Sequence, residues 1–366
     1  FNFKPIWRRS VYKKLFIPGP THVVDEILEA MAMPIIGHRD SLYSDMHGAA
    51  VEKLKKLLYT NNRIYLSTSS STGMMEGAIR NCVEQKALMT DCGAFSKRWA
   101  QIATANGKET EVIKVEMGEA ITPEMVDEKL AQGGFDTVCI TFNETSTGVT
   151  NPLKEISALV KEKYPDVLIL VDAVSIMAGA EIRVDDWDLD VVLAGTQKAF
   201  ALPPGLCVVT VSDAAFERSQ NMTNKGYYFD FVDMEKYAVK NQTSATPAVS
   251  LVNALNVQMD RILAEGIENR FARHAEMAKY IQDWARKYFA LYAADEKYLS
   301  PTITNITNTR GISVSDLNKE LGKRGAMISN GYGTLKEKAF RIAHMGDIQM
   351  EDLKWLTAQI EDILGL

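Results

Sequence analysis

Between about residues 50 and 215 the chain alternates short apolar runs with stretches of helical periodicity. The runs are Ile64–Thr68, Lys86–Thr90, Thr110–Val115, Thr137–Phe142, Val167–Val171, Val191–Ala194 and Leu206–Val211. Each has the length of an ordinary strand, and several are apolar throughout instead of alternating. Strands buried on both faces look like this, which predicts a mostly parallel seven-stranded sheet covered by helices. The intervening patterns predict helices over Gly73–Val83, Ser96–Asn106, Thr122–Leu130 and Pro152–Lys163, the last two opening on or beside proline. This strand–helix rhythm is that of an α/β fold with right-handed crossovers.

After Pro247 the rhythm changes. Apolar residues at three- and four-residue spacing run from Val249 to Phe289, broken near Glu265-Gly266, so two helices are expected. A strand over Thr302–Thr307, a helix over Val314–Arg324, a strand over Ala339–Ala343 and a helix over Met350–Leu364 complete a smaller α+β unit. A chain of 366 residues is long enough for two such units. The start, Phe1–Lys14, is basic and aromatic without a continuous apolar core, and is read as an ordered arm.

Composition narrows the function classes. A net charge of −6 speaks against a nucleic-acid or anionic-membrane surface. No stretch approaches the roughly 20 apolar residues that span a bilayer. Cys82, Cys92, Cys139 and Cys207 form no CxxC pair and have no histidine at ligand spacing, so no metal site is expected. Three of the four lie in apolar runs and read as small buried hydrophobes, and the set fits a reduced, cytoplasmic protein.

Three features carry candidate chemistry. Gly195-Thr-Gln-Lys198 follows an apolar run, and a lysine there is either a desolvated amine suited to Schiff-base chemistry or one that snorkels from a turn. Val167–Val171 ends directly in Asp172, about 26 residues before that lysine. A carboxylate at the C-terminal end of a parallel strand faces the crevice where α/β sheets bind ligands. It could hold a ring nitrogen protonated, cap the next helix or bind magnesium. Ser69-Ser-Ser-Thr-Gly-Met-Met-Glu76 follows another strand and opens a helix, as an anion-binding loop or an ordinary N-cap does. It has neither a Walker lysine nor a GxGxxG fingerprint, which suits a cofactor phosphate better than a nucleotide.

Together these residues resemble the class V aminotransferases of pyridoxal-phosphate (PLP) fold type I, in the branch of alanine–glyoxylate and serine–pyruvate aminotransferases. The likeness runs from Phe16-Ile-Pro-Gly-Pro-Thr21 to the last helix. It rests on Pro18-Gly-Pro20, Ile36-Gly-His-Arg39, Asn143-Glu-Thr-Ser-Thr-Gly148, Val171-Asp-Ala-Val-Ser175, Gly195-Thr-Gln-Lys198 and Phe340-Arg-Ile342. The resemblance implies a large PLP-binding domain over 21–250 between an N-terminal arm (1–20) and a small C-terminal domain (251–366).

The resemblance also assigns roles. Lys198 matches the lysine that carries PLP as a Schiff base and shuttles a proton, and Asp172 the partner of the pyridine nitrogen. Phe95 matches the aromatic residue stacked on the ring, where many members have tryptophan. Thr145 matches a hydroxyl at the ring edge, Gln197 a phosphate contact, and Ser71, Thr72 and Gly73 the phosphate loop. Thr243 and Thr246 match a segment reaching the phosphate of a neighbouring subunit, which implies a homodimer. Arg341, with Gly19, matches the site of the substrate carboxylate. Ser71 departs from a frequent glycine, as does Ala343-His344 from the usual residues after the arginine. His38 and Arg39 border the site in the family; either of them reads a distal substrate group, or Arg39 pairs with Asp40 or Asp45.

The implied reaction moves an amino group from serine or alanine to pyruvate or glyoxylate, with 2-aminoethylphosphonate as an alternative donor. A cysteine desulfurase would need a reactive cysteine in the C-terminal part, and all four cysteines precede residue 208. A non-catalytic PLP-fold binding protein would have no need of Lys198, Asp172 and Arg341 together, and a dinucleotide enzyme would need the missing glycine fingerprint.

Overall fold

The computed structural model describes residues 12–366. The arm expected at the start of the chain lies outside the described residues up to position 11. From the described part of that segment, Lys14–Phe16 forms a strand parallel to Ala326–Ile328.

All seven apolar runs are strands of one sheet, in the order Arg63–Ser67, Cys207–Val211, Val191–Gly195, Leu168–Asp172, Thr137–Thr141, Lys86–Asp91, Glu109–Lys114. Cys207–Val211 alone runs against the others. Leu168–Asp172 shows why these strands lack alternation. Ile169 and Val171 enter one apolar layer with Leu54, Ile156 and Val252, while Leu168 and Leu170 enter the opposite layer with Met74, Ile79 and Trp99. Each such side chain contributes about 1.5–3 kcal/mol on burial, and both faces of the strand collect it.

A second sheet, in the order Lys14–Phe16, Ala326–Asn330, Ala339–Ala343, Ile303–Thr307, Ala290–Leu291, has its own core. Phe16, Ile281, Trp284, Leu317, Phe340 and Leu356 pack there against the helices Ile267–Tyr288, Val314–Lys323 and Met350–Leu364. The long helical run breaks at Gly266, whose φ of +88° favours glycine. Before the break, Val249–Glu265 places Val252, Leu255, Met259 and Ile262 in the core of the large sheet.

The structure adds four helices to those expected: Asp25–Met31, Ser41–Leu58, Asp213–Asn221 and Phe231–Ala238. It also starts the helix expected at Gly73 at Ser71. What matters for function is where the strands end. Ser67, Asp91, Thr141, Asp172 and Gly195 are the last residues of parallel strands, so the loops after them gather along one edge of the sheet.

Candidate active site

The helix Ser71–Cys82 opens without a cap. Ser70 is extended (φ −78°, ψ 160°) and its side chain makes no capping hydrogen bond. The Ser71 hydroxyl is buried without a partner. A helix start leaves its first N–H groups unpaired, and a buried hydroxyl with no partner is costly unless something fills the space before it. Gly195 makes this approach possible, since a Cβ there would stand 2.6 Å from Ser71 Oγ and 2.4 Å from Gln197 Oε1. These groups face a cleft of about 510 Å³ whose wall includes Ser71, Thr72, Phe95, Thr145, Asp172, Gln197 and Lys198. Of the anticipated residues, Gly73 lies one step beyond that wall, inside the helix, packed so closely on Phe229 that a Cβ would come within 2.8 Å of its ring.

Asp172 is buried at the strand end, and one carboxylate oxygen accepts the Val174 N–H at 2.9 Å. Burial and, after it, the charge of Glu144 raise its pKa to about 7 against the pull of that N–H and of Lys198 and Arg98. Lys198 moves the other way, to about 8, because desolvation outweighs the attraction of Asp172 and Arg341 and Arg98 oppose a further positive charge. Both groups thus change charge near physiological pH, a condition suited to moving protons.

The lysine is held from two sides. Its ammonium donates a hydrogen bond to the Pro18 carbonyl. The Thr21 hydroxyl reaches the Lys198 carbonyl at 3.0 Å, and the Thr21 N–H reaches the Gln197 carbonyl at 3.1 Å. Gly19 has φ +129°, and a Cβ there would lie 2.6–2.8 Å from the end of the lysine chain, so only glycine fits. From behind, the buried Arg270 donates to Ala199 O (2.8 Å) and Ala178 O (2.9 Å) while its charge is met by Glu265 and Asp347.

Phe95 is positioned by Glu144, a residue of the Asn143–Gly148 motif for which the sequence alone signals no role. The buried Glu144 carboxylate accepts Phe95 N–H (3.1 Å), Ser96 N–H (2.8 Å), Ser146 N–H (3.0 Å) and Ser146 Oγ–H (2.6 Å). Arg98 then spans the cleft wall, its guanidinium 5.1 Å from the Phe95 ring centre and 3.1 Å from the Thr72 hydroxyl. Glu144→Ala is expected to lower unfolding stability by about 3 kcal/mol or more, because several buried donors lose their acceptor together. Urea unfolding measures this, and an unchanged midpoint would contradict the account.

Arg341 pairs with Asn305 and Ser329 across the small sheet. Its Nε and Nη2 donate to Asn330 O (3.3 and 3.1 Å), and its Nη1 donates to Thr145 O (3.3 Å). No carboxylate pairs with it among the described residues, and burial lowers its pKa to about 10. A guanidinium has five N–H donors; three are used, leaving one on each terminal nitrogen. That remainder is a fork matched to a carboxylate.

Two anticipated groups fall elsewhere. Thr243 lines a separate cleft of about 420 Å³ with His47, Tyr65 and Thr68, its hydroxyl bonded to Ala245 O at 2.7 Å, and the exposed Thr246 follows on the same half-buried segment. Arg39 binds this segment through Gln242 Oε1, Thr243 O and Ser244 O, while Asp40 is occupied in capping Ser41–Leu58. The pairing of Arg39 with Asp40 or Asp45 is therefore corrected: the carbonyls outcompete a carboxylate committed to a helix start. His38 sits half-buried beside it.

Residues 20–347 match the family model described as Aminotransferase class-V. The chain is 40% identical to an uncharacterized aminotransferase of Methanocaldococcus jannaschii, over 92% of this chain and 89% of that protein. It is 34% identical to L-aspartate–glyoxylate aminotransferase of Paracoccus denitrificans, over 91% and 86%. The crystal structure of alanine–glyoxylate aminotransferase from Nostoc sp. superposes with a TM-score of 0.91 at 25% identity, covering 100% of this chain and 98% of that one. The chain belongs to the class V aminotransferases, a PLP-dependent family of transaminases.

Proposed function

We propose that this aminotransferase transfers the amino group of a small amino acid, serine or alanine, to glyoxylate or pyruvate. The observation that carries the reading is Arg341, a buried guanidinium with two free N–H groups and no acidic partner among the described residues, joined through Thr145 to the cleft of Lys198 and Asp172. The names of the relatives support a glyoxylate acceptor.

The residues present fit PLP. The uncapped helix start, the unpartnered Ser71 hydroxyl, Thr72 and Gln197 suit its phosphate, Phe95 the face of its ring, and Thr145 and Asp172 its ring edge and nitrogen. Bound PLP supplies an electron sink for the charge left when the substrate loses its Cα proton. Lys198 would hold the cofactor between turnovers and, once freed, would take and return protons at Nζ. Arg341 fixes the carboxylate and so the direction of the Cα–H bond. Asp172 would hold a proton on the ring nitrogen.

Thr243 and Thr246, outside this chain's own cleft, are assigned to the phosphate of a second copy, which makes the working unit a homodimer. Four buried, unpaired cysteines suit a reducing compartment such as the cytoplasm.

The test is a coupled assay with the PLP-loaded protein, glyoxylate or pyruvate as acceptor, and L-serine, L-alanine, L-aspartate and 2-aminoethylphosphonate as donors. Serine or alanine should give a kcat/KM at least about tenfold above the other two. Preference for aspartate or the phosphonate would reassign the donor, and no turnover with any pair would overturn the reading.

A further inference from the structure

We propose that the ring of Tyr332 sets the size limit of the substrate, admitting short acids and excluding donors with long side chains; this rests on Arg341 holding the substrate carboxylate. Tyr332 lies in the connection between the strands Ala326–Asn330 and Ala339–Ala343. Its ring centre is 5.2 Å from that of Phe95 and 5.7 Å from the guanidinium carbon of Arg341. It therefore fills the corner between the aromatic wall of the cleft and the free fork, where the side chain of a carboxylate-anchored substrate must pass.

The connection is exposed, yet its ends are tied. The Asn330 side-chain oxygen accepts both Gly331 N–H and Glu337 N–H at 2.8 Å, and the Asn330 amide donates to the Glu337 carboxylate at 2.6 Å. That carboxylate is in turn gripped by Val314 N–H and the Ser315 hydroxyl. Leu335 plugs the tip into the core at 7% exposure, whereas Tyr332 remains 40% exposed. A large aromatic side chain left open to solvent on a clamped loop, touching two walls of a reaction site, has the form of a pocket wall. The phenol hydroxyl makes no hydrogen bond among the described residues, so the ring, not the hydroxyl, is the selecting element.

The experiment compares wild type, Tyr332→Phe and Tyr332→Ala with L-alanine and L-leucine as donors and glyoxylate as acceptor. In Tyr332→Ala the leucine-to-alanine ratio of kcat/KM should rise by about tenfold or more, the scale of a relieved apolar clash. Tyr332→Phe should keep the wild-type ratio within about twofold. Calorimetric titration gives a readout apart from turnover: 4-methyl-2-oxopentanoate should bind Tyr332→Ala about tenfold tighter than wild type, with glyoxylate changed less than threefold. An unchanged ratio in Tyr332→Ala, including an equal loss for both donors, would overturn the proposal, as would a Tyr332→Phe ratio matching Tyr332→Ala. If wild type turns over no donor at all, the failure lies in the reading beneath it.

Discussion

Lys198→Ala is expected to lower turnover by at least about four orders of magnitude. A positioned general base contributes about 10²–10⁴-fold on its own, and this lysine is also the proposed anchor of the cofactor, so the losses should compound. The variant should still bind PLP, because the uncapped helix start, Ser71 and Gln197 remain. It should release PLP on gel filtration that leaves wild type loaded. Added methylamine should restore part of the activity, since a small amine can occupy the vacated volume. Full activity of Lys198→Ala would refute the assignment, and Lys198→Arg should be as inactive as the alanine variant because its guanidinium stays charged.

The same residue carries a pH dependence whose sign is fixed by its environment. Burial holds the Lys198 amine at about pKa 8, below its ordinary range, and only the neutral amine attacks an aldehyde. Capture of PLP by cofactor-free protein should therefore slow by about tenfold per pH unit below 8 and level off above it. The stability effects run oppositely. The raised pKa of Asp172 gives a stabilisation present below its unfolded value and lost as pH rises through about 7. The depressed pKa of Lys198 gives one present above its unfolded value and lost as pH falls through about 8. The cofactor-free site is thus least comfortable when both groups are charged, between those values, where only their mutual attraction offsets desolvation.

How much of this was legible beforehand depended on whether a signal was local. The seven strands of the large sheet announced themselves because burial on both faces leaves no room for polar positions, as in Val167–Val171. Asp172 and Lys198 were visible for the complementary reason: a charge at the end of such a run needs an explanation. The helix Ser41–Leu58 is equally local, with Asp40 as cap and Tyr43, His47, Ala50, Leu54 and Leu57 buried at helical spacing, so its signal too lies in the sequence. Glu144 and Arg270 are different. Their partners are main-chain groups far away in sequence, Phe95 and Ser96 for one, Ala178 and Ala199 for the other. No periodicity records such a contact. Tyr332 is hidden in the same way, because its neighbours Phe95 and Arg341 come from two different sheets' loops and strands.

Arg341→Gln separates function from stability most sharply. Losing a charged, bidentate hold on a carboxylate costs about 2–5 kcal/mol, so kcat/KM for amino-acid donors should fall by about 30- to several-thousand-fold. Arg341→Lys should recover little of that, because an ammonium keeps the charge but not the fork. Retention of PLP should be unaltered, since Arg341 is not part of the cleft wall that faces the cofactor's proposed place. Simple amines without a carboxylate should lose far less, so preference for acids over amines should collapse in the variant. Stability should move the other way. The guanidinium is buried against carbonyls with no acidic partner among the described residues, and its desolvation is met only in part by three hydrogen bonds. Replacing it with Met, which fills much of the same space without charge, should leave thermal stability unchanged or higher. A structural arginine would show the reverse: a lower melting temperature and equal losses for acids and amines. That the fold carries an uncompensated buried charge is explicable if the missing partner is the substrate itself.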